Sequence, residues 1–161
     1  MHVLDKVSRS INRWIEPLLF GLGLSMALII VVQVFFRYVL NHSLFWSEEL
    51  ARYLLVWLTF LGASVAYRHE RHPGIDVLIV RLPASAQQVV AVCVHIVSIA
   101  LFGVMILFGV EFSYFVRSQI SPALHLPKWI IFSVIPVSGL ILLIHGVAFL
   151  FDEIKGADRD R

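Results

Sequence analysis

The groups in this 161-residue chain that could do chemistry are few, and most of them sit in or beside long apolar runs. His95 and His145 are each embedded in such a run. Two imidazoles at similar depth on neighbouring helices could ligate a haem iron from both sides or bond one helix to another; the pair alone leaves both open, and interhelical bonding asks less of the sequence. A second group is Trp46-Ser47-Glu48-Glu49-Leu50-Ala51-Arg52. Ser47 suits a helix N-cap with Glu48 and Glu49 in the first turn. Glu48 and Arg52 are four apart and can pair, and Arg37 lies within reach of either acid. Capping and pairing account for each residue singly, whereas two acids, an aromatic and an arginine packed so tightly also read as a polar docking patch for another membrane subunit.

Three further stretches carry polar groups. In Ser121-Pro122-Ala123-Leu124-His125-Leu126-Pro127-Lys128-Trp129, two prolines fix an extended loop. Pro127 opens the next helix, where its missing N–H costs little, and Trp129 suits an interfacial anchor. The stretch is a rigid turn or a shaped rim for a partner. In Arg68–Leu78, His72 and Asp76 can pair or hold a solvated loop against a neighbour. Glu111 is placed to meet Arg37 or Arg117. Cys93, the single cysteine, reads as a small buried hydrophobe. No Walker loop, zinc spacing or nucleophile elbow is present in the sequence.

The elements that must position these groups follow from composition. Hydrophobic residues make up 59% and charged residues 15%, with a net charge of +2. Mean hydropathy is +0.85. A water-soluble domain carries about 25% charge, so a soluble enzyme, a nucleic-acid binder and a secreted disulfide scaffold are set aside in favour of an all-α integral membrane protein.

Charge-free intervals locate the spans. They hold 20 residues between Glu16 and Arg37, 15 between Arg52 and Arg68, 29 between Arg81 and Glu111, and 23 between Lys128 and Asp152. A crossing needs about 20 residues, so the second helix must reach back through Trp46–Arg52. Four transmembrane helices are expected, at about 17–40, 46–67, 86–116 and 128–151, as a single domain with a frayed tail over 155–161. The run after Lys6, Arg9 and Arg13 is too long for a signal-peptide core and no small-x-small site follows, so the first span is expected to be retained.

Residues 2–15 place Val3, Leu4, Val7, Ile11, Trp14 and Ile15 near helical spacing, which predicts a short amphipathic helix on the membrane surface. With the N terminus inside, nine basic residues lie inside and four outside, so both termini are expected to be cytoplasmic. Gly62, Ala63 and Ala66 offer a close-packing face, and Gly103, Gly109, Gly139 and Gly146 do so less clearly.

Taken together, Arg37-Tyr38, Trp46–Arg52 and Val56-Trp57-Leu58-Thr59-Phe60-Leu61-Gly62-Ala63 resemble the small membrane subunit of tripartite ATP-independent periplasmic (TRAP) transporters, the DctQ-type family. His72 with Ile75-Asp76-Val77-Leu78, and Ser121–Leu124 with Pro127-Lys128-Trp129, are similar to the same family. The resemblance covers about residues 5–153. Pro73 departs from it, standing where the family usually has an aliphatic residue.

The resemblance implies a non-enzymatic, four-helix supporting subunit in the bacterial inner membrane, part of an importer of organic acids such as C4-dicarboxylates, sialic acid or other sugar acids. It implies a large membrane subunit and a periplasmic substrate-binding protein as partners. It places sodium ions on the large subunit, with no cofactor on this chain. It also makes Arg37, Trp46, Ser47, Glu48, Glu49, Arg52 and Trp57 candidates for the subunit interface, and Ser121, Pro122, Pro127 and Trp129 for the periplasmic rim. The residues themselves show no polar path across the membrane and no unwound helix pair, which agrees with a support. A membrane cytochrome using His95 and His145, or a free-standing small channel or carrier, are the competing readings.

Overall fold

The computed structural model describes residues 3–69 and 84–159, and the expected roles of His72 and Asp76 fall outside them. The long elements among the described residues are all helices: α1 (Val3–Tyr38), α2 (Phe45–His69), α3 (Ala84–Phe115), the short α4 (Lys128–Phe132) and α5 (Val134–Arg159). Four stretches among these residues are long and apolar enough to cross a bilayer: Asp5–Tyr38, Phe45–His69, Val92–Phe115 and Lys128–Phe151.

Helix α1 is one continuous rod of 36 residues, about 54 Å at 1.5 Å per residue. The N-terminal segment is therefore helical as expected, but it is fused to the first span. Pro17 lies inside the rod and removes one backbone hydrogen bond. Packing on both sides offsets that loss, because Asn12 and Ile15 just before it are buried and Leu19 and Leu22 just after it join the core.

The buried face of the segment keeps Ile11 and Ile15 of the expected apolar stripe but also takes in polar residues. Ser8 is 0% exposed, whereas Val7 and Trp14 point outward. Polar partners on other helices draw Ser8 and Asn12 inward, while Val7 and Trp14 take the outside, as suits a chain whose solvent is lipid.

Helices α1 and α2 pack as antiparallel neighbours, as do α3 and α5. Gly23 faces Leu58 across α1 and α2, and Asn12 reaches His69. Helix α3 lies along α5. A Cβ on Gly109 would sit 2.9 Å from Pro136 Cδ and 3.0 Å from its backbone nitrogen; one on Gly139 would meet Ile106 at 3.1 Å; one on Gly146 would meet Ile99 and Phe102 at 3.3 Å. These three glycines let the two backbones approach. Gly62 and Gly103 have nothing within 4 Å of their Cβ positions, so they are not packing positions. Helix α3 leans on α5 and α4 and meets α2 through the edge-on ring pair Tyr67–Phe102 at 5.2 Å.

The last span is split. Pro136 cannot donate to the Phe132 carbonyl, and Ser133 separates α4 from α5 with its N–H on Trp129 O at 2.9 Å. Beyond that break, α5 continues to Arg159, so the expected frayed tail is helical over most of its length. The centre of the bundle is held by Ile15, Leu61 and Val134. Cys93 lies on the exposed side of α3. A helix apolar all round gives no periodicity from which its buried face could be told.

Candidate subunit-docking surface

The two candidate stretches, Trp46–Arg52 and Ser121–Trp129, form one structure at the end of the bundle that carries the α1–α2 turn, hereafter the turn end. The chain leaves α1 through Asn41, whose φ of 49° is a left-handed value that asparagine tolerates better than most residues. Helix α2 then starts at Phe45. That start puts Ser47 inside the first turn rather than at the cap. Its hydroxyl is buried and donates to Leu44 O at 2.7 Å.

Glu49 points across to the loop between α3 and α4. Its Oε2 accepts the backbone N–H of Ala123 at 2.8 Å and of Leu124 at 3.2 Å, and its Oε1 accepts the Tyr53 hydroxyl one turn along α2. The loop itself is closed like a small hairpin. Ile120 and Pro127 form an isolated antiparallel bridge, Ser121 N–H donates to Leu126 O, and Lys128 N–H donates to Gln119 O, both at 2.9 Å. The buried Ser121 hydroxyl accepts Leu126 N–H at 3.2 Å, and Lys128 Nζ donates to Gln119 Oε1 at 3.1 Å. His125, with φ 53°, turns the chain so that the two amides converge on Glu49. A carboxylate accepting several donors is the strong kind of hydrogen-bonded anchor.

This arrangement divides the residues expected at the interface and at the rim. Ser47, Glu49 and Ser121 are used inside the chain. Trp57 packs against the core of Ile15, Leu61 and Val134. Glu48 pairs with Arg52 as expected, both well exposed. Trp46 at 42% and Trp129 at 46% exposure also remain on the surface, with Pro122 exposed and Pro127 half-buried. Arg37 does not reach either acid: it is exposed, and its guanidinium stands 5.9 Å from the Tyr38 ring. Glu49 is already taken by backbone amides and Glu48 by its own helix. Arg117 likewise turns to the Tyr114 ring, at 3.8 Å, rather than to Glu111.

The opposite end holds a set of contacts that the linear spacing did not reveal. Ser8 Oγ and His145 Nδ1 share a buried hydrogen bond of 2.6 Å. Asp5 accepts from Arg68 at 2.6 Å and also from Arg9. Glu16 Oε1 accepts from Asn12 Nδ2 and from His69, each at 2.6 Å. Arg68 also lies over the Phe149 ring at 5.1 Å, and His95 stacks on that ring at 6.2 Å. At the two ends, spacing could have paired Tyr53 with Glu49, Arg9 with Asp5 and Asn12 with Glu16, each four apart on one helix; the contacts between helices carry no such signal. His145 is thus engaged through Nδ1 by Ser8, and α3 approaches α5 closely at Gly139 and Gly146.

Among the described residues, four apolar spans with charges gathered near their ends define a multi-pass helical membrane protein. Residues 26–156 match the family described as tripartite ATP-independent periplasmic transporters, DctQ component. The chain belongs to that family, the small membrane subunits of TRAP transporters.

Three relatives place it further. The ectoine TRAP transporter small permease protein TeaB of Halomonas elongata is 29% identical over 95% of this chain and 79% of its own length. The sialic acid TRAP transporter small permease protein SiaQ of Vibrio cholerae is 24% identical over 94% of this chain and 88% of its own. The isethionate TRAP transporter permease protein DctMQ of Oleidesulfovibrio alaskensis is 28% identical over 87% of this chain, but the match spans only 23% of that longer protein.

Proposed function

We propose that this chain is the fixed supporting subunit of a sodium-driven importer of organic acids, bracing a large membrane subunit that holds the substrate and sodium sites. A periplasmic substrate-binding protein delivers the cargo. The assembly sits in the bacterial inner membrane, with both termini of this chain in the cytoplasm and the turn end facing the periplasm. The basic residues, nine on the terminal side and four on the other, support this orientation.

The observation that carries the reading is how the bundle uses its charges. Asp5, Glu16 and Glu49 hold helices and loops to one another at the two ends, and Ile15, Leu61 and Val134 with Trp57 and Phe60 form a packed core that holds no charged side chain. Such a bundle is built to be rigid rather than to pass a solute. The relatives' names also support a substrate site elsewhere: chains 24–29% identical to this one serve transporters named for ectoine, sialic acid and isethionate. In the last of these the matching segment is part of a much longer permease, which supports a large membrane subunit as the immediate partner. Trp46, Glu48, Arg52 and Arg37 are the exposed members of the interface, and Pro122 and Trp129 those of the rim.

The test is co-expression with the neighbouring reading frames followed by pull-down on a tagged small subunit. A large multi-pass chain should be retained in detergent. Recovery of the small subunit alone from membranes that contain the large chain would overturn the reading.

A further inference from the structure

Among the described side chains, the acids are accounted for with one exception. Asp5, Glu16, Glu48 and Glu49 each have a cationic or hydrogen-bonding partner within the chain. Glu111 makes no such contact and is exposed, although it lies inside the apolar stretch Val92–Phe115. It stands four residues before the end of α3, about 6 Å below it along the axis. An unpaired carboxylate at that depth is costly against lipid.

Its surroundings are mostly aromatic, with Ser118 at the edge. Phe108, Phe112, Tyr114 and Phe115 line an open groove of about 610 Å³ with Glu111 in it. Arg117 also borders the groove, but its guanidinium is stacked on Tyr114. The exposed side of α3 is broad and takes in Ile96, Leu107, Val110 and Tyr114; one stripe along it is Val97, Leu101, Val104, Phe108, Glu111 and Phe115, at successive spacings of four, three, four, three and four. That is the 3.5-residue repeat along which one helix packs on another, and a single polar residue in such a seam fixes the register of the pair. Helix α3 is free to be used in this way because within the chain it leans chiefly on α5 and α4.

We infer that this face of α3 is an interface for a transmembrane helix of the large membrane subunit, which sets a lysine or arginine against Glu111. The inference rests on the supporting-subunit reading and adds to it the face used and the chemistry of the contact. Charge complementarity chooses the occupant: a basic side chain on a neighbouring helix removes the cost of the bare carboxylate, which lipid tails cannot do.

The experiment uses the full two-chain complex. Glu111→Lys should lower the amount of large subunit recovered with the tagged small subunit by roughly tenfold or more, since it sets like charges together in the interface. Glu111→Gln, which keeps the shape and one hydrogen-bond acceptor, should lower it by a smaller factor. Thermal unfolding of the isolated small subunit should be unchanged in both, because Glu111 has no partner among the described side chains. A photo-crosslinker at position 108 should give an adduct of the summed mass of small and large subunits. Full recovery of the complex with Glu111→Lys overturns the inference, as does an adduct only with lipid or with a second copy of this chain. Failure of the unsubstituted pair to co-purify is a different result, and overturns the supporting-subunit reading beneath it.

Discussion

The two ends of the bundle are held together by different means. At the turn end, one carboxylate, Glu49, gathers two backbone amides and a tyrosine hydroxyl, and so ties α2 to the α3–α4 loop. At the N-terminal end, several side-chain pairs divide the load among them, Ser8 with His145, Asp5 with Arg68 and Arg9, and Glu16 with His69. A loop has free amides to offer an anion, whereas helix interiors have spent theirs on the i−4 carbonyls. Joining helices to one another therefore needs side chain to side chain contacts, and joining a helix to a loop does not. The first arrangement concentrates its dependence on one residue and the second distributes it.

The sharpest way to break this contrast is Glu49→Ala. It strips the acceptor from Ala123, Leu124 and Tyr53 together, and amide hydrogen exchange over 121–126 should rise strongly while that over 5–16 stays as it was. Glu49→Gln, which retains one carbonyl oxygen, should fall between. Equal protection of the loop in all three proteins would remove Glu49 from its role.

Next in size is Ser8→Ala, which leaves His145 Nδ1 buried without its partner and should cost about 1–3 kcal/mol in unfolding free energy. Because the N-terminal end has other clasps, α1 should stay docked, with exchange over 5–16 raised only modestly. Detachment of the whole segment would show that the load is not shared. Smallest is Glu48→Ala. The pair it removes is exposed on both sides, and a thermal melt should register about 0–1 kcal/mol, even though Glu48 is the immediate neighbour of Glu49.

The same contrast explains what was legible in the sequence. The spans were, because a charge-free interval of crossing length leaves the chain little choice in lipid. The Glu48–Arg52 pair was, because it repeats on one helix face. Glu49 was singled out but not its role, because its partners are backbone amides 74 and 75 residues away, and an amide has no letter in the sequence.

Ser8 was hidden for a related reason. Its partner is 137 residues distant, and a polar stripe beside an apolar one looks like a water-facing helix until the helix is known to be packed against others. The glycines show the limit of small-residue counting. Gly62 and Gly109 are alike in type, and only the crossing of α3 over Pro136 makes the second one indispensable. Val at position 109 would have to displace proline backbone.

The central claim is that these helices support a carrier and move no solute themselves. It is tested most directly by reconstitution into vesicles with an inward sodium gradient, using the small chain alone, the large subunit alone, and the two together. Radiolabelled C4-dicarboxylate and sialic acid are the probes, presented with the cognate binding protein. Accumulation is predicted only where both membrane chains are present. Accumulation in vesicles that hold the small chain alone would contradict the account.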